Sequence, residues 1–342
     1  MTTTTGLLRI GVDLGGTKTE AVAVRLGGAD PEVLARRRIP TARDLGYEHI
    51  VAHTCALVAD VAREAGIADV TSEGGVGIGV GMPGSVTRRA ADGTISDVPL
   101  VKNSNTTCLN GRPFRADLAS ALGRTDVAFA NDANCFALAE AVWGAARGAR
   151  VAFGVIMGTG VGGGVVIRDE ATVLAPTGRT RAWDGAQGIA GEWGHVSLEP
   201  VTGPPCYCGR RGCIETYLSG PSIERDYAAR SGASTTATKR LAAIAELAKE
   251  GDEIALALLA ERVEIFGRAL SIVIDVLDPD VIVLGGGVSN VALLYDEGVR
   301  AVGRWIFNDE LRTRIVKNEL GDSAGVLGAA LLEPPTRAAG PT

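Results

Sequence analysis

The sequence lacks the features that mark three large classes of protein. Its 34 lysine and arginine residues are outnumbered by 40 aspartate and glutamate residues, so the net charge of −6 gives no basic surface for nucleic acid. No apolar stretch reaches the roughly 18 residues needed to span a membrane. The first six residues, MTTTTG, have no basic or apolar region of a signal peptide. These absences predict a soluble, cytoplasmic protein that binds neither nucleic acid nor membrane.

Aromatic residues are also scarce, at 4% of the chain, whereas glycine is abundant, at 46 of 342 residues. The glycines do not follow the period of three that marks collagen. Because 46% of the residues are hydrophobic, disorder does not explain the glycines either. We therefore expect them at tight turns of a folded chain whose length indicates two domains with a cleft between them.

Two windows of 17 residues, 8–24 and 151–167, each place two β-rich runs around a glycine bend and predict a hairpin. They share four residues at a constant offset of 143, namely Gly11/Gly154, Val12/Val155, Gly15/Gly158 and Val22/Val165. We infer a duplicated α/β unit, with residues 1–130 and 131–342 as the two domains. The last helix, near 323–333, is expected to pack back on the N-terminal domain.

Hydrophobic periodicity predicts the remaining elements. Buried strands are expected over 75–80 and 127–130 and at VIVLGGG from residue 281. Helices are expected over 47–65, near 114, and over 133–145, 221–230, 238–249 and 252–277.

The glycine bends do not match the familiar nucleotide motifs. Thr17 stands where a P-loop requires lysine. Gly158, Gly160 and Gly163 have the dinucleotide spacing, but the chain continues as a strand instead of opening a helix. Successive bare N–H groups at each bend can still form an anion nest, with Lys18 beside the first. Ordinary hairpin turns are the alternative interpretation.

Asp132 follows Asn131 where a strand passes into a helix. Phosphoryl transfer to an alcohol requires a carboxylate beside the attacking hydroxyl, and Asp132 is the strongest candidate for it. An N-cap of the helix is the alternative role, and local sequence alone favours the cap.

Four N and S donors lie close in sequence: His195, Cys206, Cys208 and Cys213. They match the donor set of a closed tetrahedral zinc site, with Gly209 and Gly212 permitting the tight loop. A strained disulfide or free thiols are the alternatives. Cys55, Cys108 and Cys135 are isolated.

Six motifs follow one another along nearly the whole chain: DLGGTKTE, GMPG, NDANCFALAE, GTGVGGG, GEWGH with CYCGRRGC, and DPDVIVLGGG. In this order they resemble the ROK family of sugar kinases and sugar-responsive repressors. The resemblance implies a two-domain actin-like ATPase fold, which is a ribonuclease H-like α/β duplication with an interdomain cleft.

The resemblance also implies a role for each motif. Asp132 would be the catalytic base, and Asp13 would orient Mg²⁺. Zinc would be structural and would hold the loop that carries His195. The residues implied in ATP binding are Asp13, Gly15, Gly16, Thr17, Lys18, Gly158, Thr159, Gly160, Gly285, Gly286 and Gly287. The implied sugar contacts are Gly84, Asn105, Asn131, Asp132, Glu192, His195 and Glu215.

We therefore predict an ATP-dependent hexose kinase that phosphorylates a sugar hydroxyl, expected to be the 6-hydroxyl, and that forms a homodimer as family members commonly do. Residues 101–111 and the segment PCYCGRRGCIET are most similar to fructokinases, which predicts fructose. An N-acetylglucosamine kinase or a glucokinase is the alternative. A sugar-responsive repressor is not expected, because only 12 residues precede Asp13, too few for a helix-turn-helix.

Overall fold

The computed structural model of the chain describes residues 6–169, 180–232 and 240–333. Their contacts divide them into two compact units. Unit 1 contains the described residues up to Trp143, the segment Asp184–Ile189 and the residues from Asp322 onward. Unit 2 contains the described residues of Gly144–Trp183 and Ala190–Gly321. Within the described ranges, no helix combines the length and the apolar character needed to cross a bilayer.

Unit 1 contains a five-stranded sheet with helices packed on it, and a separate two-stranded sheet. Its elements are β1 (Leu7–Leu14), β2 (Lys18–Leu26), β3 (Glu32–Pro40), α1 (Tyr47–Glu64), β4 (Gly77–Met82), β5 (Ser85–Arg89), β6 (Ile95–Lys102), α2 (Phe114–Ala121), β7 (Ala128–Asn131), α3 (Asp132–Trp143) and α9 (Ala324–Ala330). The sheet order is β3-β2-β1-β4-β7. Strands β1 to β3 are antiparallel, and β4 and β7 run parallel to β1.

Unit 2 repeats this architecture. Its elements are β8 (Val151–Met157), β9 (Val161–Arg168), β10 (Thr180–Ala182), α4 (Glu215–Leu218), α5 (Gly220–Ser231), α6 (Leu241–Lys249), α7 (Glu253–Leu277), β11 (Val281–Gly285), α8 (Glu297–Trp305) and β12 (Arg314–Lys317). The sheet order is β10-β9-β8-β11-β12, with the same strand directions as in unit 1.

The two sheets agree strand by strand, as the duplication inferred from the sequence requires, and both predicted hairpins are confirmed. Hairpin 1 is β1 with β2, and hairpin 2 is β8 with β9. The last paired residues are Leu14 and Thr19 in hairpin 1 and Met157 and Val161 in hairpin 2. The first bend is therefore one residue longer than the second.

The observed units differ from the domains predicted at residues 130 and 131. Helix α3 falls in unit 1, because it begins directly at the end of β7 and packs against α9. The two helices approach so closely that a Cβ on Gly328 would lie 1.7 Å from the carbonyl oxygen of Cys135. Helix α9 also packs on β1 and β4, so residues 322–333 return to unit 1.

Most other predicted elements lie within a few residues of the observed bounds. Strands β5, β6, β10 and β12 were not predicted. Of the predicted helix over 238–249, residues 238 and 239 lie outside the described residues, as does the N-terminal segment of residues 1–5.

Candidate functional site

Asp13 lies near the end of β1, two residues before the bend of hairpin 1. It pairs with Glu20 across the hairpin and with Gly81 on β4. The pKa of Asp13 is raised to about 7, chiefly by burial and then by the nearby carboxylates of Asp132 and Glu20, while the cations of Lys18 and Arg38 oppose the rise. Such a crowded carboxylate is suited to face a divalent cation.

The bend of hairpin 1 carries the residues expected to bind phosphate. The Gly15 N–H donates to the carbonyl of Lys18 at 3.0 Å, which closes the bend. The side chains of Thr17 and Lys18 are exposed. The ammonium of Lys18 forms an ion pair with Asp322 at 3.5 Å, so its charge is already partly balanced.

Asp132 is the first residue of α3, and Asn131 is the last residue of β7. The side-chain oxygens of both residues accept the N–H of Ala133, at 2.9 Å for Asn131 and 2.8 Å for Asp132. The amide nitrogen of Asn131 also donates to the Gly84 carbonyl at 3.0 Å. Asn131 therefore shares the N-cap interaction, which is the role that local sequence favoured for Asp132.

Asn105 lies beside the bend of hairpin 1. A Cβ placed on Gly16 would lie 3.5 Å from Oδ1 of Asn105. Unit 1 thus brings together the bend of hairpin 1 and the side chain of Asn105, and places Asp13 and Asp132 within electrostatic reach of each other. Gly84, with its φ of 85°, lies against the backbone of Ser104 and holds Asn131 through its carbonyl.

In unit 2, hairpin 2 borders a cavity of about 650 Å³. Gly158 and Thr159 from the bend and Gly287 from the loop after β11 all line it. Helix α5 begins beside this bend, since the Gly220 N–H donates to the Gly158 carbonyl at 2.9 Å. Two of the three glycine loops predicted from the sequence therefore meet at one cavity.

The loop of Gly285, Gly286 and Gly287 follows the buried strand β11. Gly286 has φ 81°, and a Cβ there would lie 2.4 Å from the Met157 carbonyl oxygen, so only glycine fits. Gly287 starts a short 3-10 helix, and a Cβ there would meet nothing within 4 Å. Gly286 is thus required for packing, and Gly287 leaves open space in the cavity.

Glu215 and Glu192 lie within electrostatic reach of each other in unit 2. Oε2 of Glu215 accepts the N–H of Val161 at 2.8 Å, so this carboxylate is attached to hairpin 2. Burial raises the pKa of Glu192, and the charge of Glu215 adds to the effect. Neither residue is a plain surface acid, since both have specific buried surroundings.

The segment Glu192–His195 is fixed on β9. The indole N–H of Trp193 donates to the Gly162 carbonyl at 2.9 Å. Gly191, with φ 92°, lies so near β9 that a Cβ would be 2.2 Å from the Gly163 carbonyl oxygen. This packing sets the positions of Glu192 and His195 from a rigid strand.

The four predicted metal ligands are brought together, since one donor atom from each lies within 4.8 Å of the others: His195, Cys206, Cys208 and Cys213. Nδ1 of His195 is 3.6 Å from Sγ of Cys206, and Sγ of Cys208 is 3.6 Å from Sγ of Cys213. That sulfur separation excludes a disulfide, whose S–S bond is about 2.05 Å.

These distances suit zinc. Bonds of about 2.3 Å to sulfur and about 2.0 Å to nitrogen in a tetrahedron separate the donor atoms by roughly 3.5–3.8 Å. Burial raises the pKa of Cys208, but hydrogen bonds from Arg210 and the other two cysteines outweigh it and lower the pKa overall. The residues present therefore fit a closed tetrahedral site with three sulfur donors and one nitrogen donor.

Tyr207 lies between two of these cysteines and contacts His195 from the other side. Its hydroxyl is 3.0 Å from Nε2 of His195, and the two rings meet edge to face with centroids 5.2 Å apart. Nδ1 of His195 faces the cysteines, so Nε2 is the nitrogen that remains for a ligand. In this structure, Tyr207 occupies the hydrogen-bonding position at that nitrogen.

One wall of the cavity in unit 2 was not predicted from the sequence. Its remaining wall comes from α5, α6 and the residues after Gly287, including Pro221, Leu241, Ala245 and Val291. These are ordinary helix and loop residues with no motif. The only signal available was the amphipathic pattern that predicted the helices themselves.

Comparisons with known proteins agree with this architecture. The sequence model of the ROK family matches residues 9–335. The N-acetyl-D-glucosamine kinase of Vibrio vulnificus strain YJ016 is 35% identical over 337 residues, which cover 94% of this chain and 98% of that protein. The solved structure of the ROK hexokinase from Thermus thermophilus has a TM-score of 0.77 and 30% identity, covering 96% of this chain and 98% of that one.

A ROK family glucokinase from Streptomyces griseus, solved with glucose and AMPPNP, has a TM-score of 0.70 and 28% identity over 95% of this chain and 99% of that one. The two repeated sheets and their glycine bends define an α/β protein of the actin-like ATPase fold. The chain belongs to the ROK family, and the similar curated proteins named above are sugar kinases.

Proposed function

We propose that this protein is an ATP-dependent hexose kinase. The observation that carries the proposal is the arrangement in unit 1, where Asp132 starts α3 within electrostatic reach of Asp13, and Asp13 precedes the glycine bend of hairpin 1. Phosphoryl transfer needs these parts: a base for the hydroxyl, a carboxylate for the metal ion, and N–H groups for the phosphates.

In the proposed reaction, Asp132 accepts the proton of the sugar hydroxyl as its oxygen attacks the γ-phosphorus. The bond from that phosphorus to the β–γ bridging oxygen breaks, and ADP leaves with the electron pair. Mg²⁺, when bound near Asp13, supplies positive charge to the phosphates. We propose the 6-hydroxyl as the attacking group.

The proposed nucleotide-binding residues belong to three loops. The bend of hairpin 1 contributes Asp13, Gly15, Gly16, Thr17 and Lys18. Around the cavity of unit 2, the bend of hairpin 2 contributes Gly158, Thr159 and Gly160, and the loop after β11 contributes Gly285, Gly286 and Gly287. The cavity supports the assignment for Gly158, Thr159 and Gly287, which line it, because bare backbone lets phosphate or ribose approach closely. Gly160, Gly285 and Gly286 are not among its lining residues.

The proposed sugar contacts are Gly84, Asn105, Asn131 and Asp132 in unit 1 and Glu192, His195 and Glu215 in unit 2. Carboxylates and amides suit a polyol, because each can accept from or bridge its hydroxyls. We propose N-acetylglucosamine as the first acceptor to test, since the kinases at 33–35% identity carry that name. The comparisons do not support the fructose specificity predicted from the sequence, so fructose becomes the second acceptor.

We also propose that zinc is held by His195, Cys206, Cys208 and Cys213. Four protein donors leave no open position, so the ion would fix the loop that carries His195 and would not take part in the reaction. Purified protein is expected to contain about one zinc ion per chain by elemental analysis. Cys213→Ser should lose it, and the control Cys55→Ser should keep it. Wild-type protein purified without a chelator and free of zinc would contradict the assignment.

The kinase proposal is tested by ADP release, coupled to a dehydrogenase, with N-acetylglucosamine, fructose, mannose and glucose in parallel. We expect ADP release that depends on sugar and is fastest with N-acetylglucosamine. ADP release that no hexose accelerates would overturn the proposal. The homodimer predicted from the sequence stays a prediction, which sedimentation of the purified chain would test.

A further inference from the structure

The chain segment after β3 is attached to the bend of hairpin 1. The backbone N–H of Thr41 donates to the Thr17 carbonyl at 3.0 Å, and its hydroxyl donates to the Gly15 carbonyl at 2.7 Å. Thr41 is buried, and its hydroxyl also lies 2.9 Å from that of Thr19. Two carbonyls of the bend therefore fix where residues 41–43 lie.

Arg43 is turned toward the bend by an unusual backbone conformation. Ala42 adopts the left-handed region, with φ 49° and ψ 46°, which is unfavourable for a residue with a Cβ. The carbonyl of Arg43 in turn accepts a hydrogen bond from the thiol of Cys108, with the sulfur 3.7 Å from the oxygen. The surrounding contacts thus hold this segment in a conformation that it would not favour alone.

The guanidinium of Arg43 lies between a proposed phosphate site and a proposed sugar contact. Its Nη1 donates to the Asn105 carbonyl at 3.3 Å. The same nitrogen lies 3.9 Å from the position a Cβ on Gly16 would occupy. A phosphoryl group that lies between the bend of hairpin 1 and the acceptor sugar would therefore contact the guanidinium of Arg43.

Arg43 also differs from three other cations near the bend of hairpin 1, which each have an acidic partner. Lys18 pairs with Asp322, and Arg36 and Arg38 both pair with the buried Glu20. Among the residues that the structure describes, no carboxylate lies within 4.0 Å of the Arg43 guanidinium. Its charge is available for an anionic ligand.

We propose that Arg43 is a catalytic residue that binds the transferring phosphoryl group. The inference rests on the proposed kinase function and adds a residue to it. The transition state of phosphoryl transfer spreads negative charge over the equatorial oxygens, and a planar guanidinium binds two of them at once. Arg43 contacts the γ-phosphoryl group of ATP and makes no contact with ADP.

The test compares Arg43→Gln, Arg43→Lys and the matched control Arg89→Gln. Arg89 is likewise exposed and likewise donates to a backbone carbonyl, that of Gly93 at 3.3 Å. Calorimetry measures the affinities for Mg·AMPPNP and Mg·ADP, and steady-state assays give kcat and KM. Melting curves check the fold, with shifts of no more than about 2 °C expected for exposed substitutions.

For Arg43→Gln, we expect AMPPNP affinity to fall about tenfold or more while ADP affinity stays unchanged, and kcat to fall about 10²-fold or more. Arg43→Lys should recover part of both losses, because it keeps the charge without the planar geometry. Arg89→Gln should match wild type. An equal loss for both nucleotides, or no loss for either, overturns the proposal.

The affinity ratio also separates this proposal from the kinase proposal. If no hexose accelerates ADP release by wild type, the kinase function fails, yet the ratio of AMPPNP to ADP affinity still tests Arg43. If wild type binds neither nucleotide, both proposals are overturned. If Arg43→Gln does not fold, Arg43→Lys must show the selective loss of AMPPNP affinity.

Discussion

The two hairpins are built alike and surrounded differently. Hairpin 1 is bordered by the ionisable side chains of Asp13, Asp132 and Arg43. Hairpin 2 borders a cavity walled by Gly158, Thr159 and Gly287, and the charged side chains that line this cavity come from α5, from α6 and from the residue just before α6. The carboxylate of Glu215 also contacts hairpin 2, where it accepts the N–H of Val161. We propose that hairpin 1 serves the transfer reaction, whereas the cavity beside hairpin 2 binds the nucleotide.

The largest expected effect is the loss of turnover when Asp132 is substituted. Asp132→Asn removes the proposed base but keeps the size of the side chain, so turnover should fall about 10²-fold or more. The fold should persist, because an amide oxygen can still accept the Ala133 N–H. Coupled assays and melting curves measure the two effects. The control is Asp92→Asn, on an exposed turn, and near-normal turnover in Asp132→Asn would remove the assignment.

The next prediction separates packing from binding at hairpin 2. Gly286→Ala places a Cβ 2.4 Å from the Met157 carbonyl oxygen at positive φ, so unfolding free energy should fall by about 2 kcal/mol or more. Gly287→Ala meets nothing within 4 Å and should keep the stability. Its methyl group should instead lower ATP affinity about tenfold by filling the cavity. Urea titration measures the stability of both variants, and calorimetry measures their affinity for ATP. Unchanged ATP affinity in Gly287→Ala would contradict the nucleotide assignment.

The third prediction uses the raised pKa of Asp13. Its folded pKa of about 7 exceeds the ordinary value of 3.8, so the protonated carboxyl stabilises the fold at low pH. That contribution is lost as pH rises toward 7. In metal-free protein, Asp13→Asn should therefore gain stability over wild type between pH 4 and 7, by up to about 1.4 kcal/mol per pH unit.

Urea titration at several pH values checks the Asp13 prediction. Asp69→Asn is the control, because hydrogen bonds from Ser72 and Thr71 lower the pKa of Asp69 to about 2, below the window. A stability difference between Asp13→Asn and wild type that does not change with pH would show that Asp13 has no raised pKa.

The smallest expected effect concerns Tyr207. If its hydroxyl competes with the sugar for Nε2 of His195, Tyr207→Phe should lower the sugar KM by about two- to tenfold, the worth of one net hydrogen bond. Zinc content should not change, since the phenol does not contact the cysteines through its oxygen. A raised KM would show instead that the hydroxyl contacts the sugar.

The sequence predicted the parts of this protein that depend on local pattern. Glycine bends between β-rich runs predicted both hairpins, and three cysteines within eight residues predicted the donor cluster. The boundary at 131 differed because α3 packs on α9, which lies almost 200 residues later in the chain. No local signal carries such a contact.

The position of Arg43 was missed for the same reason. It lies two residues after Thr41, which bonds to Gly15 and Thr17 of hairpin 1 from 24 or more residues away in sequence. The contact of Tyr207 with His195 likewise depends on how the donor loop folds. Spacing predicted the donor loop, but no sequence pattern pointed to the segment that carries Arg43.

Product analysis tests the central claim most directly. Protein incubated with Mg·ATP and N-acetylglucosamine is examined by phosphorus NMR and mass spectrometry. We predict a sugar 6-phosphate formed in equal amount to ADP, and its absence with Asp132→Asn. Release of inorganic phosphate without any phosphorylated hexose, from N-acetylglucosamine or from fructose, would contradict the account.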